Sequence, residues 1–206
     1  MLFNILALIS VLIVITTLKK VVSIFPSLIA CIIRWKESVN LEASVKLKRD
    51  RDIIALTMIL PFCLTAARFR LYNPRFLQGL DGAAYLGATI GIFAAYVLLR
   101  IFLDALVLPS RKRKKGYGIA IRCSYSFLII LTLLLLGAGG ILTFVNVPED
   151  AVRCTMLWLS GMTYALFIIR KTQIFAQSGS FFAGFLYLCA LEFLPTGLLV
   201  VSGVIF

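Results

Sequence analysis

Long apolar runs separated by short charged stretches set the pattern of this chain. Residues 1–18 form the first run, long enough at about 1.5 Å per residue to cross roughly 30 Å of hydrocarbon as a helix. Lys19 and Lys20 follow it and no basic residue precedes it, the reverse of a cleavable signal peptide. An uncleaved anchor with its N-terminus outside is therefore expected. Residues 21–35 are interrupted by Pro26 and Ser27 and closed by Arg34, Trp35 and Lys36, which reads as an interfacial elbow; a lipid-gripping amphipathic helix is the functional alternative. Residues 36–52 (KESVNLEASVKLKRDRD) read as a cytoplasmic connector, with a short surface helix as the structured alternative and with Leu41, Val45 and Leu47 too sparse to bury a core.

A second run, 53–67, is short for a span and contains Pro61, which frees the carbonyl of Thr57 four residues earlier; a re-entrant segment is the alternative, but the count of charges by side keeps it as the second span. Residues 68–82 form an external loop that is basic for that side, with Arg68, Arg70 and Arg75; a weak exception to the positive-inside rule is favoured over an anion site. The remaining spans are 83–108, 119–145, 154–169 and 181–206, the fifth ended on the inside by Arg170 and Lys171. The expected architecture is all-α: one integral membrane domain over 1–206, a polytopic transmembrane helical bundle of about six spans, with 19–52 as interfacial and cytoplasmic connector.

Composition reinforces this pattern. Apolar residues make up 61% of the chain, well above the roughly half found in soluble domains. The formal net charge of +12 would suggest nucleic acid on a soluble protein, but here the charges sit between spans. Counted by side, expected inner segments hold 15 Lys and Arg and outer ones 4. Both termini then fall on the periplasmic side of a bacterial cytoplasmic membrane. The densest basic run, Arg111, Lys112, Arg113, Lys114 and Lys115, marks the cytoplasmic face and suits anionic headgroups of the bilayer. No nucleic-acid partner is expected.

Catalytic chemistry has little to work with. There is no His, and Cys31, Cys63, Cys123, Cys154 and Cys189 lie in or beside apolar runs without metal-ligand spacing. The glycines at 137, 139 and 140 sit in an apolar run with no GK[ST] after them, so they read as a place where a helix bends or is crossed closely. No catalytic residue, metal site or cofactor is expected.

Intramembrane polar residues carry the sharpest signal. Glu192 falls near the middle of the last run, with Pro195 three residues later. A lone carboxylate at that depth costs several kcal/mol, roughly, unless it is protonated or paired. Arg100, in the third span, sits at a compatible depth. It shares a helical face with Asp104 four residues on, so Arg100 either pairs with Asp104 near the cytoplasmic end or turns inward to the deeper carboxylate. Pro195 frees the Leu191 carbonyl, and Tyr187, Ser126, Thr163 and Tyr164 are candidate hydrogen-bond donors. In the same third span Ala83, Gly87, Gly91 and Ala95 recur every four residues, a small-residue face that admits another helix closely, whether from this chain or a second one.

The stretch FFAGFLYLCALEFLP, preceded by Arg170 and by Ile174 and Phe175, resembles the C-terminal signature of an uncharacterised family of multi-pass inner-membrane proteins of Bacteroidota. The matching residues are Tyr187, Leu188, Cys189, Ala190, Leu191, Glu192 and Pro195. The resemblance implies a Gram-negative cytoplasmic membrane and no known activity. Three functions stay open. The favoured one is a non-enzymatic structural or accessory subunit of a membrane protein assembly of the cell envelope. The others are a transporter or proton-coupled subunit using Glu192, and a lipid-processing membrane enzyme.

Overall fold

Apolar runs that cannot expose backbone polar groups to lipid close their hydrogen bonds internally, and helices do this residue by residue. The computed structural model describes residues 2–107, 115–177, 185–186 and 188–205, and among them every regular element is helical. The protein is an all-α bundle. Its helices are α1 (Leu2–Ile33), α2 (Trp35–Ala43), α3 (Val45–Thr57), α4 (Ile59–Arg68), α5 (Gly82–Val107), α6 (Lys115–Phe144), α7 (Glu149–Gln177) and α8 (Leu194–Ile205). A 3-10 turn (Arg75–Leu77) precedes α5, and a π-helical turn (Cys189–Phe193) leads into α8. Among the described residues four helices, α1, α5, α6 and α7, are long and apolar enough to cross a membrane, and a shorter apolar helical stretch covers Cys189–Gly203.

The expected elbow over 21–35 is replaced by continuous helix. Val21, Ile24, Leu28 and Cys31 repeat with helical spacing and are buried, so packing holds the helix together across Pro26, which lies on the exposed face. That buried face meets Ile54, Ala55 and Met58 of α3 and its junction with α4, and Ile129 and Ile130 of α6. The connector 36–52 is likewise more structured than its composition suggests. It forms α2 and the first half of α3, with Leu41 buried and Ser44 accepting a hydrogen bond from the Leu47 amide at the start of α3. Sparse apolar residues suffice here because charged groups do part of the packing. Arg51, only 1% exposed, pairs with Glu42, bonds Asp52 at 2.7 Å and lies over the Tyr125 ring, while Arg122 reaches Glu42 at 3.0 Å. This network ties α2 and α3 to α6.

Pro61 acts where its chemistry places it. Its ring nitrogen cannot donate to Thr57, and the helix is interrupted at Met58 between α3 and α4. α6 and α7 form an antiparallel hairpin closed by a turn in which Asn146 takes positive φ (56°) and the Val147 amide bonds back to Leu142. α7 continues to Gln177, past the expected end of the fifth span at Ile169, because Ile174 and Phe175 carry its buried face onward to Ala120, Cys123 and Phe127.

Charges sort between the two ends of the bundle. The end of α1, α2, the start of α3, the first turns of α6 and the last turns of α7 meet at one end, linked by Arg51, Arg122 and Arg170. At the opposite end Leu6 of α1 packs beside Leu64, Ala67, Tyr85 and Leu86, and the Tyr72 hydroxyl lies 2.6 Å from Ser202 of α8. The Tyr85 hydroxyl donates to the Tyr72 carbonyl at 2.5 Å, closing the α4–α5 connection.

Candidate functional site: a buried ion triplet

The last helical segment turns irregular just before its proline. Pro195 has no amide hydrogen for Leu191, and the turn before it widens: the Leu194 amide bonds to Cys189, five residues back. Glu192 sits inside this π-helical turn, is fully buried, and is directed at two neighbouring helices.

Two cations meet its carboxylate. Arg100 of α5 donates from Nη2 to Glu192 Oε1 at 2.5 Å, and the ammonium of Lys171 on α7 donates to the same oxygen. Lys171 is fully buried and Arg100 is 20% exposed. Phe167, one turn before Lys171, puts its ring 4.6 Å from Lys171 Nζ and 5.9 Å from Arg100 Cζ, so both cations also meet an aromatic face. Tyr164 donates to the main-chain oxygen of Glu192 at 3.1 Å. Below this polar group lies the apolar cluster of Ala120, Cys123, Phe127, Phe167, Ile174, Phe175, Leu188 and Leu191, which excludes water from one side.

With all three groups ionised the triplet carries one positive charge more than negative. Oε2 of Glu192 is buried and accepts no hydrogen bond among the described residues. Such an arrangement links three helices through one carboxylate, and loss of a single proton makes it neutral. It holds no nucleophile poised by a base.

The expected residues fall as follows. Arg100 turns to Glu192 rather than to Asp104, which lies partly buried one turn further along α5. Pro195 is buried directly behind the widened turn. Among the expected donors, Tyr164 reaches Glu192, whereas the Thr163 hydroxyl bonds its own helix at Leu159. Tyr187 lies outside the described residues, as do Arg111, Lys112, Arg113 and Lys114; Lys115 opens α6. Ala83, Gly87, Gly91 and Ala95 lie on an exposed face of α5. A Cβ added at Gly87 or Gly91 would meet nothing within 4 Å, so the stripe is not consumed by packing among the described residues.

Lys171 is the member that the sequence reading missed, taken with Arg170 as the charged end of a span. The two part company in the fold. Arg170 donates to the main-chain oxygens of Ile32 and Ile33 at 2.9 Å each and to Gln173 at 2.6 Å, while Lys171 turns into the bundle. The spacing gave only part of the signal: Phe167, Lys171, Ile174 and Phe175 follow i, i+4, i+7, i+8 on one helical face, but Arg170, at i+3 from Phe167, borders the same face, so periodicity alone does not choose between the two cations.

The chain matches the family model described as "Domain of unknown function (DUF4271)" over residues 3–202, and so belongs to that family. No curated protein and no solved structure matches it.

Proposed function

We propose that this member of the DUF4271 family is a non-enzymatic integral membrane protein, an accessory subunit that presents α5 to a transmembrane helix of a partner protein in the cell envelope. The carrying observation is the division of labour on α5. One side is pinned by Arg100 to Glu192 and by the Tyr96 hydroxyl to Thr196 of α8 at 3.3 Å, while Ala83, Gly87, Gly91 and Ala95 stay uncovered on the other. Between helices in lipid the association comes from close backbone approach, and small residues every four positions provide it. In this reading the triplet is a structural tie that fixes α5 so its small-residue face is presented rigidly. The basic end of the bundle faces the cytoplasm of a Gram-negative cell, where it meets anionic headgroups, and the Leu6 and Ser202 ends of α1 and α8 face the periplasm.

Gly91→Leu tests this. The side chain projects from an exposed face, so fold and membrane level are expected to stay unchanged while recovery of the partner in mild-detergent pull-downs falls about tenfold or more. Equal recovery of a stoichiometric companion by both proteins would overturn the reading.

A second reading, proton-coupled transport, is favoured by a different observation: the surplus charge of the triplet together with Oε2, which has no hydrogen-bond partner among the described residues. It predicts that Lys171→Met abolishes function in cells that hold normal amounts of the folded protein. The structural reading predicts that the same variant keeps both function and partner.

A further inference from the structure

Away from the triplet, α1 and α3 diverge beside their shared apolar cluster and leave a cleft of about 440 Å³ lined by Lys20, Val45, Lys46, Arg49, Asp50 and Ile53. Three of its six lining residues are cations and one is an anion, a net of +2. None of these four makes an ion pair or side-chain hydrogen bond among the described residues, in contrast to Arg51 and Arg122 close by, whose charges are answered by Glu42 and Asp52. Asp50 offsets only one of the three cations, and gathering a surplus of like charge on one cleft costs free energy unless an anion fills it.

The surroundings say what kind of anion. Leu47, one residue from Lys46, packs against the buried cluster of Val21, Ile24, Leu28, Ile54 and Met58, so the cleft lies against the membrane-embedded core and not on a detached loop. Ile53 forms its inner wall, and one turn further along α3 Leu56 stands 72% exposed, as does Val22 at 63% on α1 beyond Lys20. A charged cleft thus opens onto an apolar strip. Free phosphate would use only the first of these; a lipid uses both.

We infer that the α1–α3 cleft binds the headgroup of an anionic phospholipid, with Lys20, Lys46 and Arg49 facing its phosphate oxygens and the Ile53–Leu56 strip lying along its acyl chains. A net of +2 matches a headgroup of two negative charges better than one. The expected order of affinity is therefore diphosphatidylglycerol, then phosphatidylglycerol, then phosphatidylcholine. The inference needs only that the bundle is membrane-embedded. It does not depend on a protein partner, so failure of the pull-down above leaves it standing, and its own failure leaves the subunit reading standing.

The purified full-length protein, titrated with each of the three lipids and analysed by native mass spectrometry for bound copies, provides the test. Lys46→Gln/Arg49→Gln removes two cleft charges. Arg68→Gln/Arg75→Gln removes two exposed charges near the α4–α5 connection, at the opposite end. The cleft variant is expected to lose on the order of tenfold in affinity for diphosphatidylglycerol and the control less than twofold. Thermal denaturation of both variants checks that each is folded. Equal losses in the two variants, or none in either, would overturn a defined site in favour of diffuse attraction. Displacement of the bound lipid by millimolar glycerol phosphate or inorganic phosphate would overturn the lipid assignment and leave a soluble-phosphate site in its place.

Discussion

Glu192→Leu is expected to cost about 3–5 kcal/mol of stability, the range found when one partner of a buried ion pair is deleted. The leucine fits the volume, but it leaves Lys171, fully buried, and Arg100, mostly buried, facing each other across an apolar cluster without a counter-charge. Lys171→Met should do far less, within about 1 kcal/mol, because it leaves a neutral Arg100–Glu192 pair and a methionine beside the Phe167 ring. Glu192→Gln falls between: the amide still accepts a hydrogen bond, yet both cations lose their counter-charge. Thermal denaturation of detergent-purified variants reads the ranking, with a midpoint drop on the order of 10 °C for Glu192→Leu. A methionine at 171 as damaging as a leucine at 192 would show that the triplet is not held by the carboxylate in the way described.

Gly139→Leu should be nearly as harmful, and Gly140→Leu close to silent. At Gly139 a Cβ would fall 2.8 Å from the Met156 methyl and 2.9 Å from the Phe69 ring. The methyl can swing aside. The ring is held among Leu135, Val152 and Met156, so a whole leucine forces α6 away from α7 and the α4 end, at about 3 kcal/mol or more. At Gly140 a Cβ meets nothing within 4 Å, and replacing a helical glycine gains roughly 0.5–1 kcal/mol that offsets an added exposed side chain. Yield of monodisperse protein after size-exclusion chromatography, followed by thermal denaturation, separates the two neighbours. Similar behaviour of both variants would mean that α6 and α7 do not approach at Gly139.

How far the sequence carried this picture differs by feature. Apolar run length was a reliable guide to α5 and α6, whose helices end within a few residues of the expected spans. It misjudged α1 and α7, because charged or proline-bearing residues inside a run read as boundaries while the fold holds them in place by packing: Val21 to Cys31 across Pro26, and Phe167 to Phe175 across Lys171. Over 36–52 the sequence allowed a short surface helix but not the way α2 and α3 are held, because their cohesion is partly electrostatic and pairings such as Glu42 with Arg51 and Arg122 depend on a tertiary contact that no local spacing reveals. At the site, Glu192, Pro195 and Arg100 were legible from depth alone. The second cation was hidden by its neighbour Arg170, an ordinary membrane-boundary residue in sequence and a tertiary ligand in the fold.

That neighbour has a consequence for how the protein is made. α1 carries no basic residue in its last turn, and the orphan carbonyl oxygens of Ile32 and Ile33 are answered by a guanidinium 137 residues later in the chain. During synthesis α1 emerges before α5 and α6, and both must be made before Arg170 arrives. Until then the C-terminal end of α1 is electrostatically unfinished. The last turn of α1 is therefore fastened later than its buried face, which packs on α3 and α6, and a chain truncated before α7 should leave that turn loosely docked and open to quality-control proteolysis.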